Sequence, residues 1–154
     1  GSGMMSIRID LCMETEMFQQ AAAGYPDEIC GLLFGRWDGE EAVAESYHPC
    51  ENRSREVRAR HFQIDPLQYQ QLEDQADRLG CSIVSIVHSH PDHPDRPSET
   101  DRKQAWPGLS YIIISVGEGG VLSVSSWRLR QDRSGFDPDR IVLEGVEGGA
   151  SRHC

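Results

Sequence analysis

The stretch Cys81-Ser82-Ile83-Val84-Ser85-Ile86-Val87-His88-Ser89-His90 decides how this chain is read. It is largely apolar and rich in β-branched residues, the pattern of a strand covered on both faces near the centre of a sheet. It ends on two imidazoles. Alternate side chains of a strand share a face, so His88 and His90 point the same way from the C-terminal end of the strand. Alone, such a pair is most often two satisfied or exposed histidines. The sharper alternative is a rigid pair of nitrogen donors for one divalent metal.

Upstream of this strand lies the clearest helix signal. Asp65 is a cap, Pro66 suits the first turn and Gly80 the end, while Tyr69, Leu72, Ala76 and Leu79 form one apolar stripe. Further back, Glu28 to Gly35 is a second near-continuous apolar run that fits a central strand, followed by a turn at Asp38-Gly39 and a hairpin partner over 41–48. The spacing of Met17, Phe18, Ala21 and Ala22 predicts a helix over 11–23, closed by Gly24-Tyr25-Pro26, with a short strand before it at 6–10. Residues 49–56 read as a polar loop and Val57 to Ile64 as a strand. Downstream, a loop carries Pro91, Pro94 and Pro97, a short helix runs from Ser98 to about Trp106, and strands fit at 110–116, 121–130 and 140–146. This alternation predicts a single mixed α/β (α+β) domain. One curved mixed sheet is flanked by two long helices, and a short helix follows the proline-rich loop. The domain is expected to span residues 4–148, with Gly1 to Gly3 an expression scar and 149–154 a tail.

The chain has 154 residues, enough for one domain burying about 70% of its unfolded surface. A net charge of −10 argues against nucleic acid or an anionic membrane as partner, since both would repel it. The apolar runs are too short to span a bilayer and no secretory signal is visible, so the expected location is cytoplasmic. The five cysteines include no C-x-x-C pair, which argues against a disulfide framework or a four-cysteine zinc site. Cys30 and Cys81 sit in apolar runs and read as small buried hydrophobes.

After the histidine pair, the seven residues Pro91 to Pro97 lead into Ser98-Glu99-Thr100-Asp101. Ser-x-x-acid before a helix is first of all a capping box, with Ser98 satisfying free N–H groups. Asp101 nevertheless starts its helix directly after the histidine strand, and a loop stiffened by three prolines can fold back to set it beside the imidazoles. Two histidines and one carboxylate would leave a fourth tetrahedral position open, the mark of a catalytic rather than a structural zinc site. Glu28 is the candidate proton carrier, because a carboxylate at the head of an apolar strand is costly unless it is used. Its plain alternative is an exposed strand-end residue after Pro26-Asp27. Asp92, His93 and Asp95 read as solvent-facing, His48 and His61 as structural, and His153-Cys154 as a frayed end.

The joint pattern of Glu28, a long gap, His88-Ser89-His90, seven residues, and Ser98-x-x-Asp101 closely resembles the JAMM/MPN+ zinc metallopeptidase family. The flanks Pro26 to Gly35, His90-Pro91 and Pro107-Gly108-Leu109-Ser110-Tyr111 are similar to its compact prokaryotic members, and the resemblance spans roughly residues 5–130. It implies an MPN/JAB-like domain with one catalytic zinc ion held by His88, His90 and Asp101. Glu28 would act as general base and then acid, and Ser98 would stabilise the oxyanion. It also implies hydrolysis of a peptide or isopeptide bond at the C-terminal tail of a ubiquitin-like or sulfur-carrier β-grasp protein, the tail pairing with a sheet edge. The polyubiquitin-cleaving members carry a long insertion, for which there is little room between Asp101 and Tyr111. The other readings are a cell-wall or small-peptide metallohydrolase and a non-catalytic MPN scaffold, which would lack ligands.

Overall fold

The apolar run that ends on the two histidines forms the strand expected of it. In the computed structural model, which describes residues 5–53 and 62–145, this strand spans Ser82–Pro91 and is buried at every position after Ser82. The elements run β1 (Ser6–Asp10), α1 (Leu11–Gly24), β2 (Cys30–Asp38), β3 (Glu41–Cys50), α2 (Pro66–Arg78), β4 (Ser82–Pro91), α3 (Glu99–Gln104), β5 (Ser110–Gly117), β6 (Gly120–Leu129) and β7 (Phe136–Glu144).

The strands are ordered β1-β3-β2-β4-β5-β6-β7, and β1 also pairs with β7, so the curved mixed sheet closes on itself as a barrel. β1 is parallel to both of its neighbours and β4 is parallel to β5, while the other pairs are antiparallel. Register shifts at Leu33/Phe34, Phe34/Gly35 and Ser115/Val116 bend the strands and sharpen their twist. Parallel neighbours need a crossover, and the β4–β5 crossover contains the proline loop and α3.

α1 begins where the Asp10 side chain accepts from Met13 N at 2.7 Å. It buries Met13, Met17 and Ala21 in a cluster with Ile7, Leu33, Val84 and Ile112. α2 starts with Asp65 accepting from Leu67 N at 3.0 Å and Pro66 in the first turn, and it ends before Gly80, whose φ is 74°. Its Ala76, with Tyr69 and Leu72, belongs to a second cluster with Leu32, Phe34, Ile83 and Ile86. β4 contributes Val84 and Val87 to the first cluster and Ile83 and Ile86 to the second, which is why its sequence is apolar rather than alternating.

Some boundaries differ from expectation. The apolar run headed by Glu28 becomes strand only at Cys30, and the last strand starts earlier, at Phe136. The strand expected over Val57 to Ile64 falls mostly on 54–61, outside the described residues, and Phe62 to Ile64 form no regular element. Cys30 is buried as expected, but Cys81 is only partly so, because its thiol reaches out to the Glu45 carboxylate at 3.0 Å. Cys12 is disulfide-bonded, a feature the spacing of the cysteines did not suggest. No helix among the described residues is long and apolar enough to cross a membrane.

Candidate metal centre

Backbone pairing places each candidate side chain. β4 lies between β2 and β5, with Cys30 opposite His88 and Ser115 opposite His90. Ser89 points to the other face, where its hydroxyl accepts from Ile29 N at 2.9 Å, and its own N–H donates to Ile29 O at 3.1 Å. These two bonds carry the β2–β4 register past the start of β2 and bring Glu28 level with the histidines. Asn52 fastens the same point, its side-chain amide donating to Glu28 O at 2.9 Å. Glu28, His88 and His90 are 5%, 1% and 8% exposed. One donor atom from each lies within 4.8 Å of the others.

The proline loop does fold back. Asp92 takes φ 59° and donates from its backbone to Val116 O at 2.8 Å, while its carboxylate accepts from the Tyr25 hydroxyl at 2.8 Å. Ser115 Oγ donates to His93 O at 2.6 Å and Trp127 Nε1 to Asp95 O at 3.0 Å, so β5 and β6 grip the loop. At its end Ser98 caps α3. Asp101 N donates to Ser98 Oγ at 3.1 Å and Ser98 N to Asp101 Oδ2 at 2.8 Å, the reciprocal box read from the sequence. The box turns the Asp101 carboxylate toward the histidines: Oδ2 is 3.1 Å from His90 Nε2 and Oδ1 is 3.9 Å from His88 Nε2. Glu28, His88, His90 and Asp101 thus converge, with Ser98 at their border.

The electrostatics follow from this convergence. Burial opposes ionisation of Asp101, yet the His90 hydrogen bond, the His88 ring and the Ser98 N–H together hold its carboxyl well below the usual carboxylate range. Burial likewise opposes charging of His90, but the Asp101 hydrogen bond, the Pro94 carbonyl and the nearby carboxylates outweigh it and raise its pKa. His90 Nδ1 sits 2.9 Å from Pro94 O, and a carbonyl only accepts, so Nδ1 carries a proton. Nε2 shares its own proton with Asp101 here, and with Nδ1 protonated it is Nε2 that would give up its proton to offer a lone pair to a metal. Phe62 stacks on His88 at 4.4 Å between ring centroids and fixes that ring in turn.

These residues fit a metal ion. His88 Nδ1 is fully buried and has no hydrogen-bond partner among the described residues, although Glu28 Oε1 is 3.4 Å away. That nitrogen faces Glu28, so the fit rests on the opposite atoms of the two rings, the Nε2 nitrogens that both turn toward Asp101. Two imidazoles facing two carboxylates form the nitrogen and oxygen donor set that suits zinc. The tightest group is Glu28, His88 and His90, while Asp101 is bonded to one imidazole and near the other. Beside the cluster opens a cleft of about 1000 Å³, walled by His88, Asp101, Phe62, Tyr69, Trp106 and Tyr111.

The remaining candidates lie apart. His48 stacks on Phe34 at 3.7 Å and bonds Ser46 at 2.8 Å, a structural role. Asp92 and His93 are exposed and Asp95 partly so. His61, His153 and Cys154 fall outside the described residues. Asn52, Tyr25 and Phe62 were not singled out from the sequence, because a polar loop residue, a turn tyrosine and an isolated phenylalanine carry no local signal of what they will touch. The sheet edge expected to receive a substrate tail is not found among the described strands, because the barrel closes and each strand has a paired neighbour on both sides.

Comparison with known proteins gives a consistent picture. Residues 12–130 match the family described as prokaryotic homologs of the JAB domain. The chain is 33% identical over 108 residues to a desampylase of Haloferax volcanii, covering 70% of this chain and 74% of that protein. It is 37% identical over 105 residues to the tail tip assembly protein K of Escherichia phage N15, covering 68% of this chain but only 39% of the phage protein. A protein of Desulfitobacterium hafniense solved in solution superposes with a TM-score of 0.79 at 31% identity, over 96% of this chain and 99% of that one. A second, from Salinibacter ruber, gives 0.69 at 33% identity, with 97% of each chain covered.

Proposed function

Since the chain belongs to the prokaryotic homologs of the JAB domain, we propose that it is a zinc-dependent peptidase or isopeptidase. Its substrate in this reading is the C-terminal tail of a ubiquitin-like or sulfur-carrier β-grasp protein, met in the cytoplasm. The observation that supports this most is the convergence of the buried Glu28, His88 and His90 with the partly buried Asp101 beside an open cleft.

His88, His90 and Asp101 would hold one zinc ion. Asp101 is the better third ligand because its two oxygens face the Nε2 atoms of both histidines, and the capping box leaves it little freedom to turn away. Zinc so held supplies Lewis acidity, polarising a carbonyl and lowering the pKa of a water to roughly 7. Glu28, buried and 3.4 Å from His88, takes a proton from the attacking water and hands it to the leaving amine. Ser98 Oγ accepts from Asp101 N, which leaves its hydrogen free to donate to the carbonyl oxygen as negative charge builds there. Pro94 and Phe62 hold the two imidazoles in position.

The similarity to a desampylase supports a protein-tail substrate. A second reading, hydrolysis of short peptides such as those of cell walls, rests on the openness of the cleft beside the cluster, which would also admit a short peptide. A cleavage assay separates them. The test set is a β-grasp protein extended or conjugated after a terminal Gly-Gly, unrelated unfolded peptides and peptidoglycan fragments. Cleavage directly after the second glycine with the others untouched is the expected result, and faster turnover of the cell-wall fragments would favour the second reading.

A further inference from the structure

Asp101 is carried by α3, a helix of six residues. A helix that short has no stability of its own in water, so the place of its carboxylate depends on what holds the helix from outside. At the start the hold is local, through the Ser98 box. At the end it comes from a distant part of the chain. Arg133, in the turn between β6 and β7, donates from Nη1 to Ala105 O at 2.8 Å and from Nη2 to Lys103 O at 3.1 Å and Arg102 O at 3.3 Å. The last carbonyls of a helix lack partners within it, and one guanidinium here serves three carbonyls at or just past the end of α3. The contact is returned, because Arg102 Nη1 donates to Arg133 O at 3.1 Å.

The turn is built to aim this side chain. Arg133 has φ 62°, a left-handed conformation that non-glycine residues seldom adopt, and its N–H donates to Arg130 O at 2.9 Å. Nothing comparable is asked of its neighbour Arg130, which pairs with Asp137 at 2.9 Å on the exposed side of the turn.

We propose that Arg133 is a positioning residue for the metal centre: by clamping the C-terminal end of α3 it fixes the Asp101 carboxylate at its distance from His88 and His90. This rests on the reading of Asp101 as a zinc ligand. The clamp needs the planar fork of arginine, since lysine presents its donors from a single nitrogen and cannot span carbonyls of successive residues.

The test is zinc affinity of the full chain, measured by competition with a chromogenic chelator, in Arg133→Ala, Arg133→Lys, Arg130→Ala and His88→Ala, together with the melting temperature of each metal-free protein. Affinity should fall about 10–100-fold in Arg133→Ala, as for other residues that orient a ligand. Arg133→Lys should recover only part of it, and Arg130→Ala should match wild type. Where Arg133→Ala folds poorly, Arg133→Gln gives the same reading with one carbonyl contact retained. Wild-type affinity in the Arg133 variants alongside loss of zinc in His88→Ala would overturn the proposal and leave the site reading intact. An equal fall in Arg130→Ala would overturn it too, by assigning the effect to the turn as a whole. Zinc retained by His88→Ala would remove the site reading and this inference with it.

Discussion

Glu28 and Ser98 each admit two explanations at the scale of single residues, and each can be tested between them. Glu28 is 5% exposed, and both the carbonyl and the N–H of the peptide group that follows it are tied down, by Asn52 and Ser89. An isolated carboxylate there would be costly, so its partners decide its role. Glu28→Gln keeps the shape and the backbone ties but cannot take a proton. It should retain zinc while turnover drops by about 10²–10⁴-fold. Near wild-type turnover would show that another group moves the proton. Ser98 caps α3, and in the proposed reaction its hydroxyl is also a donor to the substrate carbonyl. Ser98→Ala should lower stability by about 1 kcal/mol through the lost cap. It should also slow turnover by roughly 10²-fold through the lost donor. Parallel measurement of melting temperature and rate separates the two, and a loss of stability alone would leave Ser98 as a cap only.

At the scale of elements, the site depends on how sharply β2 bends. Gly35 sits at one of the register shifts, and a Cβ there would lie 2.1 Å from Val43 O and 2.9 Å from Ala44 Cα. Both obstacles are backbone, so no side chain can yield and β2 and β3 must part. Gly35→Ala should therefore destabilise the metal-free protein by about 1–3 kcal/mol, read as a lower denaturant midpoint. An unchanged midpoint would mean that the strands separate easily. Helices α1, α2 and α3 were legible in the sequence because their signals are local: the spacing of Met17, Phe18, Ala21 and Ala22 for α1, and the caps Asp65 and Ser98 for α2 and α3, whereas the cap at Asp10 emerged only in the fold. β4 was legible because its packing against both clusters leaves an apolar run of strand length. The start of β2 was not, since Ile29 is as apolar as the strand itself and only its pairing with Ser89 shows where the ladder ends.

At the scale of the molecule, closure was out of reach of sequence reasoning. β1 reads Ser6-Ile7-Arg8-Ile9-Asp10, a short alternating strand that could have joined any edge. It joins β3 and β7 at once, and the pairing with β7 is made across most of the chain length. The gathering of Glu28, His88, His90 and Asp101 was legible, because the motif spacing and the fold-back of a proline-stiffened loop both pointed to it. The residues that hold them there, Asn52, Phe62, Tyr25 and Arg133, were not, because each acts through a long-range contact. Three separate stretches of chain, around 28, 88–90 and 98–101, meet at the cluster, so a metal bound there ties together strands and a crossover that are remote in sequence. The direct measurement is zinc content per chain after purification and exhaustive dialysis, for wild type and for His88→Ala, His90→Ala and Asp101→Ala. One zinc per wild-type chain and its loss from each variant are expected, whereas full occupancy in all three variants would show that these residues do not hold the metal.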